Sequence, residues 1–249
     1  ICQYTFQPIN GVYRQKGYEI PEASRTAKGT AIINLLALMP GEKITAVIPV
    51  KEFREEQYMF MATNKGTVKK INLKDLESVR KNGMIAINLD DDEDLIGVEL
   101  TDGNSEIILA TRNGIAIRFY EQDVRISLNY GDEVVAMDSV SDENSEVLTA
   151  TEFGMGKRTA VKEYRKQTRG GKGIINMKIT EKTGLVIGMK VINPDQEIMM
   201  ITAAGLIIRT DVDQISQYGR NTQGVKLMTL NDDDKVVSMA AIHHEEDAE

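Results

Sequence analysis

The chain has 249 residues, 41% hydrophobic and 27% charged, with 38 Asp and Glu against 30 Lys and Arg and a formal net charge of −8. Its single cysteine, Cys2, excludes an intramolecular disulfide and a cysteine-based metal site and points to a reducing, cytoplasmic setting. The longest apolar stretch, 31–39, is short and interrupted by Asn34, so neither a signal peptide nor a membrane span is expected.

Along the chain one unit recurs five times: an apolar strand, a turn with glycine, a basic strand, then a second glycine before another apolar strand. The turn glycines are Gly11, Gly66, Gly114, Gly154 and Gly205, separated by 55, 48, 40 and 51 residues. That period fits propeller blades rather than leucine-rich or ankyrin repeats. Residues 1–9 match the template poorly. Strands are expected at 58–63, 106–111, 146–151 and 197–202, short apolar runs of the kind buried on both faces.

Beyond the basic strand, 72–76, 121–124 and 210–215 predict one helical turn or a bend, leading into polar, basic loops at the rim. The second glycines, Gly29, Gly83, Gly173 and Gly224, precede strands expected at 32–36, 84–89, 174–179 and 225–230. Last in each unit come 44–50, 95–100, 133–137, 185–192 and 235–242, which makes four strands per unit. The third unit has no second glycine and is shortened between Arg125 and Gly131. With no Pro, Gly or Ser linker, the expectation is an all-β, propeller-like domain over residues 1–242, followed by an acidic tail, 243–249.

Charge is unevenly spread. The five segments that begin at the turn glycines hold 20 of the Lys and Arg and 9 of the Asp and Glu, so the connecting turns, such as 90–94 and 232–234, are strongly acidic. Two basic positions recur per unit, one on the second strand and one in the following loop. They group as Arg14 with Arg25 and Lys28; Lys69 and Lys70 with Arg80 and Lys81; Arg118 with Arg125; Lys157 and Arg158 with Arg165, Lys166, Arg169 and Lys172; and Arg209 with Arg220. Positions equivalent by repeat would form a curved belt, with Gly170 and Gly171 letting a backbone approach closely. Such a belt suits phosphates rather than base edges. Taken singly, each cation could equally be a solvated or edge-protecting residue.

Other chemistry finds little support. The run 170–173, Gly-Gly-Lys-Gly, lacks the spacing of a nucleotide phosphate loop. His243 and His244 have no ligand partners nearby in sequence, and the acidic runs lack the glycine and terminal glutamate of a calcium loop, so they read as solvated turns that repel misplaced nucleic acid. No catalytic residue, metal or cofactor is expected.

Several segments carry a resemblance: 17–29, 44–53, 110–119, 156–164 and 219–225. Through them the chain resembles the C-terminal domain of the DNA gyrase A subunit and, less closely, that of its topoisomerase IV paralogue. The resemblance implies a six-bladed β-pinwheel whose blades exchange strands, with five units visible here and the first blade missing. It also implies a non-catalytic, monomeric domain that wraps double-stranded DNA around a basic perimeter and so enables negative supercoiling. The cleavage tyrosine and ATPase would lie elsewhere in the gyrase A subunit and in the gyrase B subunit, with no cofactor in this domain and no membrane. Residues 167–173 match six of seven positions of the family's wrapping signature, Gln-Arg-Arg-Gly-Gly-Lys-Gly, but in the fourth unit rather than the first. Two rivals remain: a protein-interaction propeller that binds through its acidic loops, and a propeller enzyme, for which the sequence offers no ionisable cluster.

Overall fold

A computed structural model describes residues 2–6, 11–24, 26–38, 44–80, 83–122, 128–168 and 171–243, and the chain divides into two compact units, Ile1–Gly103 and Asn104–Glu249. Among the described residues there is no α-helix. The first unit contains β1 (Cys2–Phe6), β2 (Gly11–Lys16), β3 (Ala46–Val50), β4 (Tyr58–Thr63), β5 (Val68–Asn72), β6 (Met84–Ile85) and β7 (Leu95–Thr101). They form two antiparallel sheets, ordered β3-β1-β2-β6 and β5-β4-β7.

The second unit contains β8 (Glu106–Thr111), β9 (Ile115–Tyr120), β10 (Val134–Val140), β11 (Glu146–Thr151), β12 (Met155–Ala160), β13 (Ile174–Ile175), β14 (Val186–Ile192), β15 (Gln196–Thr202), β16 (Ile207–Asp211), β17 (Val225–Lys226) and β18 (Val236–His243). Its sheets run β10-β8-β9-β13, β14-β11-β12-β17 and β16-β15-β18. Residues 2–6 form a full strand, paired to both β2 and β3, although they fit the repeat template poorly.

From the second repeat on, each opens with a hairpin whose first strand is apolar and buried; in β4, Met59, Phe60, Met61 and Ala62 are all fully inaccessible. A threonine ends these strands for a local reason. The hydroxyl of Thr63 accepts the amide of Thr67 at 3.1 Å, that of Thr111 the amide of Ile115 at 3.2 Å, and that of Thr202 the amide of Leu206 at 3.2 Å, bracing the turn. Downstream of the basic strand, two of the expected helical turns are 3-10 turns, Leu73–Leu76 and Val212–Gln214; a third 3-10 turn, Val161–Glu163, stands where none was expected, and the one expected at 121–124 lies partly outside the described residues. With three residues per turn, positions i and i+3 eclipse, and the pairs Leu73/Leu76, Val161/Tyr164 and Val212/Ile215 are driven together into the cores.

The expectation of four strands supplied by each unit is corrected. The strand after the second glycine is only two residues long and closes the sheet of the preceding repeat: β6 pairs with β2, β13 with β9 and β17 with β12. Glycine is required where this strand arrives. A Cβ on Gly224, at φ +72, would stand 2.2 Å from the Gly156 carbonyl oxygen, and one on Gly173, at φ +79, 2.3 Å from Ile115 Cγ2. Around Gly29, at φ +68, nothing lies within 4 Å, and residues 32–34 turn as a 3-10 helix instead of the strand expected there. The third repeat, without a second glycine, supplies no closing strand among the described residues.

Gly224→Ala combines a left-handed backbone with a backbone clash and should cost about 2–5 kcal/mol. Gly29→Ala incurs only the backbone penalty, about 1–2 kcal/mol. Urea unfolding of the two variants measures the difference.

Candidate nucleic-acid interface

The strand cations occupy one register position: Arg14, Lys70, Arg118, Arg158 and Arg209 lie opposite Tyr4, Phe60, Ile108, Leu148 and Met199. Three of them reach back twelve residues, to the start of their own repeat's inner strand, on the same face of the sheet. Arg118 bonds Glu106, Arg158 bonds Glu146 at 2.9 Å, and Arg209 bonds Glu197. Where the sequence has tyrosine instead, the Lys70 ammonium sits 4.6 Å above the Tyr58 ring.

The same guanidinium also reaches forward. Arg118 Nη1 donates to the carbonyls of Val161 and Tyr164, each at 3.2 Å. Arg158 donates to Ile215 and Asp213 O, and Arg14 to Glu77 O. These carbonyls lie in or just beyond the next repeat's 3-10 turn, where helical geometry leaves acceptors without a partner, and the fork of donors on arginine can serve several at once.

At the neighbouring position, Lys157 is fully buried, and its Nζ donates at 2.6 Å to both Gly219 O and Arg220 O. Burial pushes its pKa down to about 8, partly opposed by Glu163. The expected belt is therefore corrected at Arg118, only 3% exposed, and at Lys157 and Arg158: these cations are committed to the chain's own acceptors. Arg14, Lys70 and Arg209 are likewise engaged, and exposed Lys69 donates to Ala86 O at 2.5 Å.

The loop cations behave differently. Lys28, Arg80, Arg165 and Lys172 are exposed and form no ion pair with any described residue. Each lies in the segment leading to a second glycine. Lys166, in the same loop as Arg165, pairs with Glu106 at 2.6 Å and Glu143 at 3.0 Å and so anchors that loop. Arg220 Nη1 donates to Ile175 O at 2.8 Å, while its amide donates to Glu163 at 3.2 Å. A Cβ on Gly171 would stand 2.6 Å from Gln167 Oε1, which accepts the Gly173 amide at 3.1 Å, so a larger residue there would displace that side chain. Arg25, Lys81, Arg125, Arg169 and Gly170 lie outside the described residues.

The acidic turns carry a structural part that sequence reading missed. One carboxylate of each turns inward: Glu93, Asp132 and Asp234 are buried. Asp132 accepts the Asn113 amide and Asp234 the Ala204 amide, both at 3.1 Å, and Glu93 accepts the Thr63 hydroxyl. Each fastens its own repeat's hairpin turn, while Asp91, Asp92, Asp232 and Asp233 stay exposed. Among the described residues no group of three or more His, Cys, Asp or Glu is placed to hold a metal ion, and no helix is long and apolar enough to cross a membrane.

A family model described as "DNA gyrase C-terminal domain, beta-propeller" matches residues 10–51, 57–102, 105–141, 145–193 and 196–243, one segment per repeat. The DNA gyrase A protein of Clostridium acetobutylicum is 45% identical over 94% of this chain and 30% of its own length. That of Escherichia coli K12 is 45% identical over 98% and 29%. The chain thus spans under a third of these relatives.

Among solved structures, the C-terminal domain of DNA topoisomerase IV matches with a TM-score of 0.89 at 24% identity, covering 97% of this chain and 79% of that one. The C-terminal domain of DNA gyrase A matches with 0.83 at 23%, covering 96% and 82%. At those identities the likeness establishes the all-β, propeller-type fold.

Arg118→Ala leaves the Val161 and Tyr164 carbonyls without their donor and half-buried Glu106 with Lys166 alone, and should cost about 2–4 kcal/mol, whereas Lys172→Ala should stay within about 0.5 kcal/mol; denaturant titration separates them. Lys157 adds a pH signature. Its folded pKa of about 8 lies below the ordinary 10.5, so between these values the unfolded chain holds more protons and stability rises with pH. Urea midpoints at pH 7.5 and 10 should show this rise in the parent and its loss in Lys157→Met.

Proposed function

The chain belongs to the DNA gyrase C-terminal domain family, and on that footing we propose that it binds double-stranded DNA without sequence preference and bends it along the rim loops. In this reading it is the non-catalytic wrapping element of a cytoplasmic gyrase, working with the rest of the gyrase A subunit and the gyrase B subunit, and the wrap is what enables negative supercoiling. The observation that carries the reading is the division of the cations: those on the strands are engaged internally, while Lys28, Arg80, Arg165 and Lys172 stand exposed in equivalent loops with no ion pair to any described residue. A repeated exposed cation with no ion-pair partner among the described residues is suited to phosphate oxygens, which recur along any duplex. No α-helix among the described residues offers a base-reading face for the major groove.

Phosphate-dominated binding makes affinity fall with salt. If roughly 5 to 8 phosphates are neutralised, the slope of log K against log salt should be about −4.5 to −7, and the double variant Arg165→Ala/Lys172→Ala should bring it about 1.8 closer to zero with stability unchanged. A fluorescence-anisotropy titration over roughly 50 to 300 mM salt reads both. A slope near zero, or strong preference for one duplex over its scrambled version, would overturn the reading, and binding of an acidic-loop partner without DNA would favour a protein scaffold.

A further inference from the structure

We propose that Lys157 is a positioning residue for the DNA interface: from inside the fourth repeat it fixes the backbone of the fifth repeat's rim loop and thereby presents Arg220 and Asn221. This rests on the DNA-binding reading above. The first support is geometric. Five bonds join β12 to that loop: Arg158 N donates to Ser216 O at 3.3 Å, Tyr218 N to Arg158 O at 2.8 Å, Thr159 Oγ1 to Tyr218 O at 2.8 Å, and Lys157 Nζ to Gly219 O and Arg220 O at 2.6 Å. The two lysine bonds fall on the residues at the loop's crest, where Gly219 and Asn221 are exposed and Arg220 is half-buried.

The second support comes from comparing the repeats. The register positions equivalent to Lys157 hold Tyr13, Lys69, Ile117 and Ile208, and Ile117 is buried with no polar partner needed. An apolar side chain therefore satisfies the strand at this position. A buried ammonium is costly to keep unless its donors are used, and the acceptors this one uses are the two loop carbonyls. The fourth repeat's own rim loop needs no such lysine, because Gln167 braces it from within by accepting the Gly173 amide. The fifth repeat has Tyr218 at the position of Gln167, and its loop is held from the strand instead.

The test uses the full-length protein with Lys157→Met, which keeps the side-chain volume and removes the donors. Three results are expected: about tenfold weaker binding of a 40-base-pair duplex at low salt, a melting temperature within a few degrees of the parent, and faster amide exchange confined to 216–224. In a double-mutant cycle with Arg220→Gln, the two losses should not add, because the lysine acts through that loop. Unchanged affinity, or fully additive losses, overturns the proposal.

Should Lys157→Met fail to fold, lysine acetylation of the parent decides. Lys157 should stay unmodified while Lys172 reacts fully in free protein and is shielded by DNA; free modification of Lys157 overturns the clamp. A parent that binds no DNA overturns the function, whereas unchanged exchange at 216–224 in the variant overturns the positioning alone.

Discussion

A buried cation with partners on two sides ties consecutive repeats together. Arg158 joins Glu146 behind it to the carbonyls of Asp213 and Ile215 ahead, and Arg118 joins Glu106 to those of Val161 and Tyr164. A charge this deep is tolerated only when its donors are used, so the spacing of consecutive repeats is restricted to geometries that bring both sets of acceptors within reach. The rim loops leave from the same 3-10 turns, so the placement of their cations follows from the tie rather than from contacts of their own.

This arrangement lets an acidic chain keep local patches of positive charge. The strand cations are neutralised internally by Glu106, Glu146 and Glu197, and the turn acids divide into one buried fastener per turn and several exposed carboxylates. The loops keep their charge. Net charge therefore describes colloidal behaviour, while the local field belongs to a few exposed Lys and Arg ahead of the second glycines.

The repeats, the hairpins and the two glycine positions were legible in the sequence because each has a local cause: a threonine-braced turn, an apolar strand, a close backbone approach. The fate of the cations was less legible. An Arg on a strand looks the same whether it faces solvent or a neighbouring repeat, and only its partners distinguish the cases. One signal was present and overlooked: a glutamate stands twelve residues before Arg118, Arg158 and Arg209. Lys157 had no such marker, since its acceptors are backbone carbonyls more than sixty residues away. Residues 2–6 were misjudged because ladder bonding to β2 and β3, rather than side-chain pattern, makes them a strand.

The donated strands also impose an order in time. In the second unit β9 pairs with residues 174 and 175, and β12 with 225 and 226, so each sheet remains one strand short until most of the next repeat has been synthesised. During that interval the outer strand is an open edge, the kind of surface on which nascent chains associate wrongly. Until the next repeat's 3-10 turn emerges, the arginine on β9 and on β12 has only its own repeat's glutamate to bond and keeps a charge beside the open edge. A residue that later ties two repeats together thus first keeps the unfinished edge from pairing with another chain.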